Sequence, residues 1–408
     1  MSALKGKSIV LGLTGGIAVY KSASLLRRLT RDIGCGVTVV MTRSAREFMT
    51  PLIFETFSGN PVITDMFRAE SGIVGTRHID IIQRADLVAV IPASANIIGK
   101  IAGGIADDAL STMLMVAKPE KIVIAPAMNK NMYLNPHVQR NLQLLRDLRY
   151  HVIEPGTGEL ATAEEGWGVG RLPDERTLLF YLEQALLSQT PDPLRGKRVL
   201  ITGGPTREAI DDIRYISNPS SGKMGHALAE AAAKRGAQVT YVSGPSSLPD
   251  PLGCTTRRVS GASDMKAAVT EKFNDTDIVV MAAAVEDIRP KSVHSGKLKK
   301  TELPARLELE KNDDILLYLG RHKTHQTLIG FSVEVENELE NSLAKMEAKR
   351  LDGIVVNNPR EAGSAFAGDT NRVTLLLRGS EPLALPLLSK TETAEAIWDR
   401  LAANPGTV

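Results

Sequence analysis

The stretch KSIVLGLTGG, residues 7–16, decides the fold, and a shorter version, KRVLITGG at residues 197–204, opens the second half of the chain. Each stretch is a short apolar run that ends in a Gly-Gly pair. A run that is apolar on both faces predicts a strand inside a parallel sheet that is covered on both sides. The repeated opening therefore predicts two units of related architecture.

The segments after these strands repeat the same alternation. Helically spaced apolar residues occupy residues 17–32 in the first half and 222–236 in the second, and the strands GVTVVMT (36–42) and AQVTYVSG (237–244) follow them. Strands that alternate with helices indicate parallel sheets. The sequence predicts two doubly wound, Rossmann-like α/β domains, with their ligands at the carboxyl ends of the strands.

A proline-rich linker divides the chain. Pro191 and Pro193 bracket an aspartate between the helical pattern RTLLFYLEQALL (176–187) and the next apolar strand. We therefore predict one domain over residues 1–190 and another over residues 191–408.

Composition excludes several classes of protein. The chain has 408 residues, 43% of them apolar, and a net charge of +2, which argues against a nucleic-acid partner. Two cysteines cannot form a disulfide framework, and no Cys/His spacing indicates zinc. The first apolar run is short, has no cleavage site after it, and no other run reaches the length of a membrane span. We expect a soluble, cytoplasmic protein.

The stretch SSGKMG, residues 220–225, resembles a phosphate loop but is not a Walker A loop. Ser217 stands where that loop has its first glycine, and Met224 follows Lys223 where a hydroxyl would bind magnesium. We expect the turn from Gly222 to Gly225 to offer N–H groups at a helix start to a phosphate. The sequence leaves open which phosphate.

Small and turn-forming residues end the strands of the first half. The segments are TGGIA (14–18), MTRSA (41–45), PASAN (92–96) and PAMNKNMY (126–133). Each alone is an ordinary strand-to-helix turn. In this order, together with His78 in GTRHIDI and the helix at residues 99–117, they resemble the flavin-dependent cysteine decarboxylase family over nearly all of residues 5–173.

This resemblance implies that the first domain is a flavoprotein domain that binds FMN, oxidises a conjugated cysteine and releases carbon dioxide. It implies that His78 faces flavin and substrate and takes part in acid–base chemistry, although a histidine there could also be a surface or capping residue. Asn129 would bind the substrate carboxylate through its amide N–H, and its ordinary alternative is a turn cap. The implied FMN contacts are Gly15, Gly16, Ile17, Ala18, Thr42, Ser44, Pro92, Ala93, Ser94, Ala95 and Met128.

Five motifs of the second half resemble the phosphopantothenoylcysteine synthetase domain, a nucleotide-binding ligase. They are ITGGPTREAIDDIRYISNPSSGKMG (201–225), AAAVEDIRPKSVHSGKLKK (282–300), EKNDDIL (310–316), IGFSVE (329–334) and LAKMEAKRLDGIVVNN (343–358). Because both halves occur in one chain, the sequence resembles the bifunctional bacterial enzymes of coenzyme A biosynthesis.

The resemblance implies two reactions in series. CTP converts 4′-phosphopantothenate into an acyl-cytidylate with release of pyrophosphate, and L-cysteine then displaces CMP. The flavin domain decarboxylates the resulting 4′-phosphopantothenoylcysteine to 4′-phosphopantetheine. The resemblance also implies Mg²⁺ or Mn²⁺ with CTP, and a homo-oligomer with trimeric flavin domains and dimeric ligase domains.

Ligase roles follow from the same motifs. Lys297 would stabilise charge on the reacting phosphorus and on pyrophosphate, and Asn218 and Arg214 would hold the acyl intermediate. Asp287 would contact the nucleotide or its metal ion. The other implied nucleotide contacts are Met281, Ala282, Ala283, Asn312, Asp313, Asp314, Ile315 and Phe331.

Two groups of lysines in these motifs also have ordinary explanations. Lys345 and Lys349 lie one helical turn apart and would meet the triphosphate, but an exposed lysine pair also serves solubility. The basic loop KSVHSGKLKK (291–300) could equally be a solvated run of charge.

The chain departs from the family at one position. In GELATAEEGWGVGRLPD (158–174), Thr162 stands where the family has the flap cysteine that supplies the last proton of the flavin cycle. Cys35 and Cys254 match no flap position. The alternative function is therefore a ligase whose decarboxylase half is impaired or redirected.

Two other classes of protein compete with this interpretation. A dehydrogenase with two Rossmann domains would need GxGxxG and an acidic residue after the second strand, and neither half has them. A binding or regulatory protein with a flavin scaffold is favoured only by Thr162.

Thr162→Val should leave decarboxylation nearly unchanged, because a hydroxyl is too weak an acid to deliver the proton at a useful rate. Glu164→Gln or Glu165→Gln should slow flavin reoxidation, since we expect a flap carboxyl or a trapped water to be the donor. Mass spectrometry of the product checks this. A product lighter than 4′-phosphopantetheine by two hydrogens would contradict the expectation.

Overall fold

The computed structural model describes residues 2–66, 77–159, 166–299, 306–334, 337–358, 360 and 368–404. It divides into two compact units, Met1–Pro191 and Asp192–Val408. Among the described residues, no helix combines the length and the apolar character that a membrane span requires.

The first unit alternates strands and helices. Its strands are β1 Ser8–Leu13, β2 Gly36–Met41, β3 Leu87–Ala93, β4 Ile122–Pro126, β5 His151–Val152, β6 Gly156–Glu159 and β7 Trp167–Arg171. Its helices are α1 Val19–Arg27, α2 Arg43–Arg46, α3 Pro51–Ser58, α4 Arg77–Arg84, α5 Ala95–Gly103, α6 Ala109–Val116, α7 Lys130–Tyr133, α8 Pro136–Asp147 and α9 Glu175–Ser188.

The main sheet of this unit has the order β2-β1-β3-β4-β5, and all its pairs are parallel. Side chains alternate along β1, so Leu11 and Leu13 pack in one buried cluster while Val10 packs in another on the opposite face. Helices cover both faces, which explains why the strands are apolar throughout. The prediction of a doubly wound α/β fold is confirmed here.

The second unit has strands β8 Arg198–Gly203, β9 Arg207–Ala209, β10 Tyr215–Ser217, β11 Gln238–Ser243, β12 Cys254–Arg258, β13 Ile278–Met281, β14 Ile288–Pro290, β15 Leu309–Lys311, β16 Thr327–Val333, β17 Gly353–Asn357, β18 Thr370–Asn371, β19 Val373–Leu377, β20 Leu383–Ala384 and β21 Leu388–Ser389. Its helices are α10 Lys223–Lys234, α11 Ala262–Phe273, α12 Ile315–His322, α13 Glu338–Ala348 and α14 Lys390–Ala402.

The main sheet of the second unit has the order β12-β11-β8-β13-β16-β17-β19-β20. The first six strands are parallel, and β19 and β20 add an antiparallel edge that the sequence analysis did not predict. Short antiparallel pairs, β9 with β10, β14 with β15 and β18 with β21, lie outside this sheet.

Helix α10 packs closely on β8. A Cβ atom on Gly225 would lie 2.7 Å from the Thr202 carbonyl oxygen, so only glycine allows this approach. At the other side of α10, Trp398 of α14 is fully buried and its indole N–H donates to the Leu228 carbonyl at 3.0 Å. These contacts fix the start of α10 beside the carboxyl end of β8.

Candidate active sites

A cavity of about 550 Å³ lies at the carboxyl ends of the first unit's strands. Eight of the predicted residues line it: Gly15, Gly16, Ile17, Ala18, Ser94, Ala95, Met128 and Asn129. Three separate turns therefore meet in one place, as the parallel sheet requires.

Hydrogen bonds connect two of these turns. The Thr14 hydroxyl donates to the Pro92 carbonyl at 2.7 Å and accepts from the Ser94 N–H at 2.9 Å. Pro92 and Ala93 are buried within β3, so they shape the turn without lining the cavity. Ser94 also caps α5, because its side chain accepts from the Ile97 N–H.

Two further predicted residues support the first turn from behind. Thr42 caps α2 by accepting from the Ala45 N–H at 3.2 Å. A Cβ atom on Gly15 would lie 2.4 Å from the Ser44 Cβ, so the first turn needs glycine at this position. Neither Thr42 nor Ser44 is among the residues that line the cavity.

Asn129 caps a turn and also lines the cavity. Its side-chain oxygen accepts from the Asn131 N–H at 2.8 Å and caps α7, while the residue lines the cavity. Strand β7 holds this segment, since the Met128 N–H donates to the Gly170 carbonyl at 3.0 Å. A Cβ atom on Gly170 would lie 2.2 Å from the Met128 oxygen.

The sequence analysis missed several residues of this cavity. They are Tyr20, Lys21, Ala127, Met132, Glu159, Arg171 and Leu172. Burial and the nearby charge of Arg171 lower the pKa of Lys21. One sequence feature could have indicated Lys21 as a cavity residue: it lies one helical turn after Ala18. Many surface lysines share such a position, however.

His78 lies in the first turn of α4 and is not among the residues that line this cavity. Its Nδ1 atom is buried and has no hydrogen-bond partner among the described residues. A buried polar atom without a partner costs free energy, so its presence requires an explanation.

The flap residues Thr162, Glu164 and Glu165 lie outside the described residues. Neither cysteine lines the first unit's cavity. Burial raises the pKa of Cys35 to about 11 and that of Cys254 to about 12, so both thiols are weaker acids than an exposed cysteine.

A second cavity, of about 430 Å³, lies at the carboxyl ends of strands in the second unit. The predicted residues that line it are Asn218, Gly222, Lys223, Met224, Gly225, Ala282, Ala283, Asp287, Phe331 and Lys345. The Ala283 N–H donates to the Thr202 hydroxyl at 3.1 Å, which ties the end of β13 to the end of β8.

The segment at residues 312–315 supports this cavity from outside. Asn312 donates from its side chain to the Glu286 carbonyl at 2.9 Å and from its backbone to the Asp287 carbonyl at 2.8 Å. Asp314 caps α12 and pairs with Lys349 at 2.8 Å.

The remaining predicted nucleotide contacts, Asp313, Ile315 and Met281, do not line the cavity. Asp313 pairs with Lys266 at 2.7 Å, and Ile315 and Met281 are buried in the hydrophobic core. Lys345, by contrast, lines the cavity while paired with Glu334.

The basic loop with Lys297 is attached to the β9–β10 hairpin. Gly296 donates to Asp212 at 3.0 Å and Leu298 donates to Asp211 at 3.3 Å, which leaves Lys297 exposed between them. Burial alone would raise the pKa of Asp211, but backbone N–H donors and the paired Arg214 lower it to about 2. Arg214 therefore anchors the loop and does not line the cavity.

A third cavity, of about 610 Å³, adjoins the second and shares Asn218, Ser220 and Ser221 with it. Arg207, which lies 4.4 Å over the Tyr215 ring, and Arg258 give this cavity a cationic lining, and five serines provide hydroxyl groups. It has the chemistry to hold an anionic, hydroxylated substrate.

The donor sets fit the groups that the sequence analysis implied. Next to Gly15, Gly16 has open space at its Cβ position and no side chain, so a flavin could approach the backbone closely there. Asp287 is the one carboxylate that lines the 430 Å³ cavity in the described part of the chain. A nucleotide-bound Mg²⁺ needs few protein carboxylates, because phosphates and waters complete its shell.

Comparison with known proteins identifies both units. Residues 2–186 match the Flavoprotein family model, and residues 194–404 match that of the DNA/pantothenate metabolism flavoprotein C-terminal domain. A relative from Bacillus subtilis (strain 168), the coenzyme A biosynthesis bifunctional protein CoaBC, is 43% identical over 401 residues, covering 98% of each chain. The Vibrio cholerae protein of that name is 40% identical, covering 97% of this chain and 98% of its own.

Solved structures resemble each half separately. The C-terminal domain of a CoaBC protein is 42% identical with a TM-score of 0.45, covering 52% of this chain and 97% of its own. A PPC decarboxylase mutant complexed with pantothenoylaminoethenethiol is 27% identical with a TM-score of 0.39, covering 46% of this chain and 100% of its own.

A flavoprotein unit followed by a pantothenate-metabolism unit defines a two-domain metabolic enzyme. The chain belongs to the family of coenzyme A biosynthesis bifunctional proteins. Its flavoprotein unit is the decarboxylase and its C-terminal unit is the ligase.

Gly170→Ala should release flavin, because the new methyl group would push β7 away from the Met128 turn. Gly166→Ala is the matched control: it also has a positive φ, of +60°, but nothing lies within 4 Å of its Cβ position. Visible absorbance of the purified variants measures bound flavin. Equal flavin content in the two variants would contradict the importance of this contact.

Proposed function

We propose that the second unit ligates L-cysteine to 4′-phosphopantothenate with CTP, and that the first unit decarboxylates the product with FMN to give 4′-phosphopantetheine. The activities would divide at the linker around Pro191 and Pro193. The observation that carries the proposal is the meeting of Asp287, Phe331 and Lys345 with the Gly222 turn in one cavity at the strand ends.

CTP activates the carboxylate of 4′-phosphopantothenate in the first reaction. A carboxylate does not react with an amine until one of its oxygens becomes part of a good leaving group. Transfer of the cytidylyl group to the 4′-phosphopantothenate carboxylate forms the acyl-cytidylate and releases pyrophosphate. The cysteine amine then attacks the acyl carbon, and CMP leaves with the former carboxylate oxygen.

The cavity wall suggests how the nucleotide is held. The small side chains of Ala282 and Ala283 and the ring of Phe331 would contact cytidine, and Lys345 would contact its phosphates. Asp287 would hold Mg²⁺ or Mn²⁺ bound to those phosphates. Lys349 would reach the triphosphate only by leaving Asp314, so we assign it a supporting contact to α12.

The adjoining cationic cavity would hold the acceptor substrate. Arg207 and Arg258 offer charge to the anionic groups of 4′-phosphopantothenate, and Asn218 lines both cavities. Asn218 would thus lie beside the acyl intermediate where the two substrates meet. Arg214 would act on the intermediate through the loop that it anchors.

In the first unit, the turns at Gly15 and Ser94 would hold FMN, which supplies the electron acceptor for thiol oxidation. The Asn129 oxygen accepts from the Asn131 N–H, which orients the amide, and the amide nitrogen would donate to the substrate carboxylate. Loss of carbon dioxide from that carboxylate follows thiol oxidation. Because Thr162 stands in place of the family's flap cysteine, the donor of the final proton is left open. The alternative function is a ligase with an impaired decarboxylase half.

His78 would join the flavin site in the oligomer. Its buried Nδ1 lacks a partner among the described residues, and it is absent from the cavity wall of the single chain. The wall carries the exposed apolar side chains of Ile17, Tyr20 and Met132, a pattern typical of surfaces that another subunit covers. Trimeric flavin domains would bring His78 of one subunit to the cavity of the next.

Lys297→Gln should lower kcat for pyrophosphate release by about 10²–10³-fold, the usual effect of losing one donor that stabilises transition-state charge. The melting temperature should not change, because the side chain is exposed. Ligation is followed as CTP-dependent release of pyrophosphate in the presence of cysteine and 4′-phosphopantothenate.

Lys291→Gln is the matched control, since Lys291 is an exposed lysine of the same loop that pairs with Glu308 at 3.4 Å. It should retain the parental rate. A parent protein that releases no pyrophosphate from CTP would refute the proposed ligation. A Lys297→Gln rate within about threefold of the parent would refute only the role of Lys297.

A further inference from the structure

We propose that Lys390 and Asn371, from the C-terminal segment, complete a subsite for a phosphoryl group at the start of α10. The subsite lies in the 430 Å³ cavity, beside Lys223 and Met224. It deepens the proposed ligase function and rests on it, and it adds two residues that none of the nucleotide-facing motifs contains.

Lys390 is a buried cation that lines the cavity. It is the first residue of α14, only 7% of it is exposed, and its backbone N–H donates to the Asp369 carbonyl at 2.9 Å. Burial and the neighbouring charge of Lys223 lower the pKa of Lys390. The charge of Asp369 opposes both causes, and a bound anion would act in the same direction as Asp369.

Three cationic side chains, those of Lys223, Lys345 and Lys390, line this cavity. Asp369 pairs with Lys223 at 2.6 Å, but 87% of its side chain is exposed, so solvent screens its negative charge. Lys345 pairs with Glu334. Lys223 and Lys390 lie close enough for their charges to interact, beside the start of α10.

Asn371 is an independent indication of a ligand. Only 5% of it is exposed, and its side-chain nitrogen meets the Met224 sulfur at 3.9 Å, a weak partner. Its side-chain oxygen has no hydrogen-bond partner among the described residues. If the amide is flipped, the nitrogen takes the unsatisfied place and can donate to an anion.

The start of α10 supplies the third element. The helix has 12 residues and begins after Gly222, which has a φ of +79° and provides no side-chain cap. The N–H groups of its first turn belong to residues that line the cavity. A helix start with uncapped N–H groups and two lysines beside it favours a phosphoryl oxyanion.

The proposed reaction offers two sources of this chemistry. One is the triphosphate of CTP, which leaves in part as pyrophosphate, and the other is the 4′-phosphate of 4′-phosphopantothenate. Steady-state ligation by the full chain, with each substrate varied in turn, distinguishes them. Lys390→Met removes the charge and keeps the length of the side chain, and Lys390→Arg restores the charge.

Lys234→Met is the matched control. Lys234 lies at the other end of α10, its side chain is 10% exposed, and it pairs with Glu395 at 2.9 Å. It is absent from the cavity wall, so its loss should lower the melting temperature without changing either KM.

We expect Lys390→Met to raise KM for one substrate by about tenfold or more, the usual effect of losing a charge-assisted hydrogen bond, and Lys390→Arg to recover part of it. A rise for CTP assigns the subsite to the nucleotide, and a rise for 4′-phosphopantothenate assigns it to the acceptor. Asn371→Asp, which adds a negative charge, should raise KM for the same substrate and provides the test if Lys390→Met does not fold.

Unchanged KM values in folded Lys390→Met and Asn371→Asp would overturn the proposal, as would an equal change in Lys234→Met. Calorimetric titration of the full chain with inorganic pyrophosphate and with inorganic phosphate separates this outcome from failure of the ligase function. If the parent protein binds one of these anions and the Lys390→Met variant does not, the subsite is supported even if CTP proves not to be the substrate. Equal binding by both proteins would overturn it.

Discussion

The common direction of the parallel strands is the constraint on which both sites depend. Because β1, β3 and β4 run the same way, their carboxyl ends meet, and Thr14 can bond the Pro92 carbonyl 78 positions along the chain at 2.7 Å. In the second unit, the ends of β8 and β13 are joined in the same way through Thr202 and Ala283. Helices cover both faces of such sheets, and the usual ligand sites of this fold therefore lie at the carboxyl ends of the strands.

Much of this arrangement could be predicted from the sequence, since the glycine turns and small residues directly follow apolar strands. Lys390 and Asn371 could not, because they come from the segment around the short β18–β21 pair, whose place depends on tertiary packing. A lysine at the start of an amphipathic helix looks the same in sequence whether it faces solvent or a cavity. Arg214 and Asp314 occupy motif positions yet bond to neighbouring protein groups, which a motif cannot reveal.

The two cavities differ in the charged side chains that line them. The 550 Å³ cavity of the first unit is lined by Lys21 and Arg171 and also by exposed apolar side chains. This combination suits an aromatic ring with an anionic substituent. The 430 Å³ cavity of the second unit is lined by Lys223, Lys345 and Lys390 and, among the described residues, by one carboxylate, Asp287, which suits polyphosphate and a metal ion. These properties agree with the assignment of the ligase to the second unit and of the decarboxylase to the first.

A time course of products in one vessel shows the order of the two reactions. With CTP, cysteine and 4′-phosphopantothenate, mass spectrometry should detect 4′-phosphopantothenoylcysteine first and 4′-phosphopantetheine afterwards. Omission of CTP should abolish both products, while added 4′-phosphopantothenoylcysteine should still be decarboxylated. Formation of 4′-phosphopantetheine without CTP, or failure to decarboxylate the added intermediate, would contradict the account.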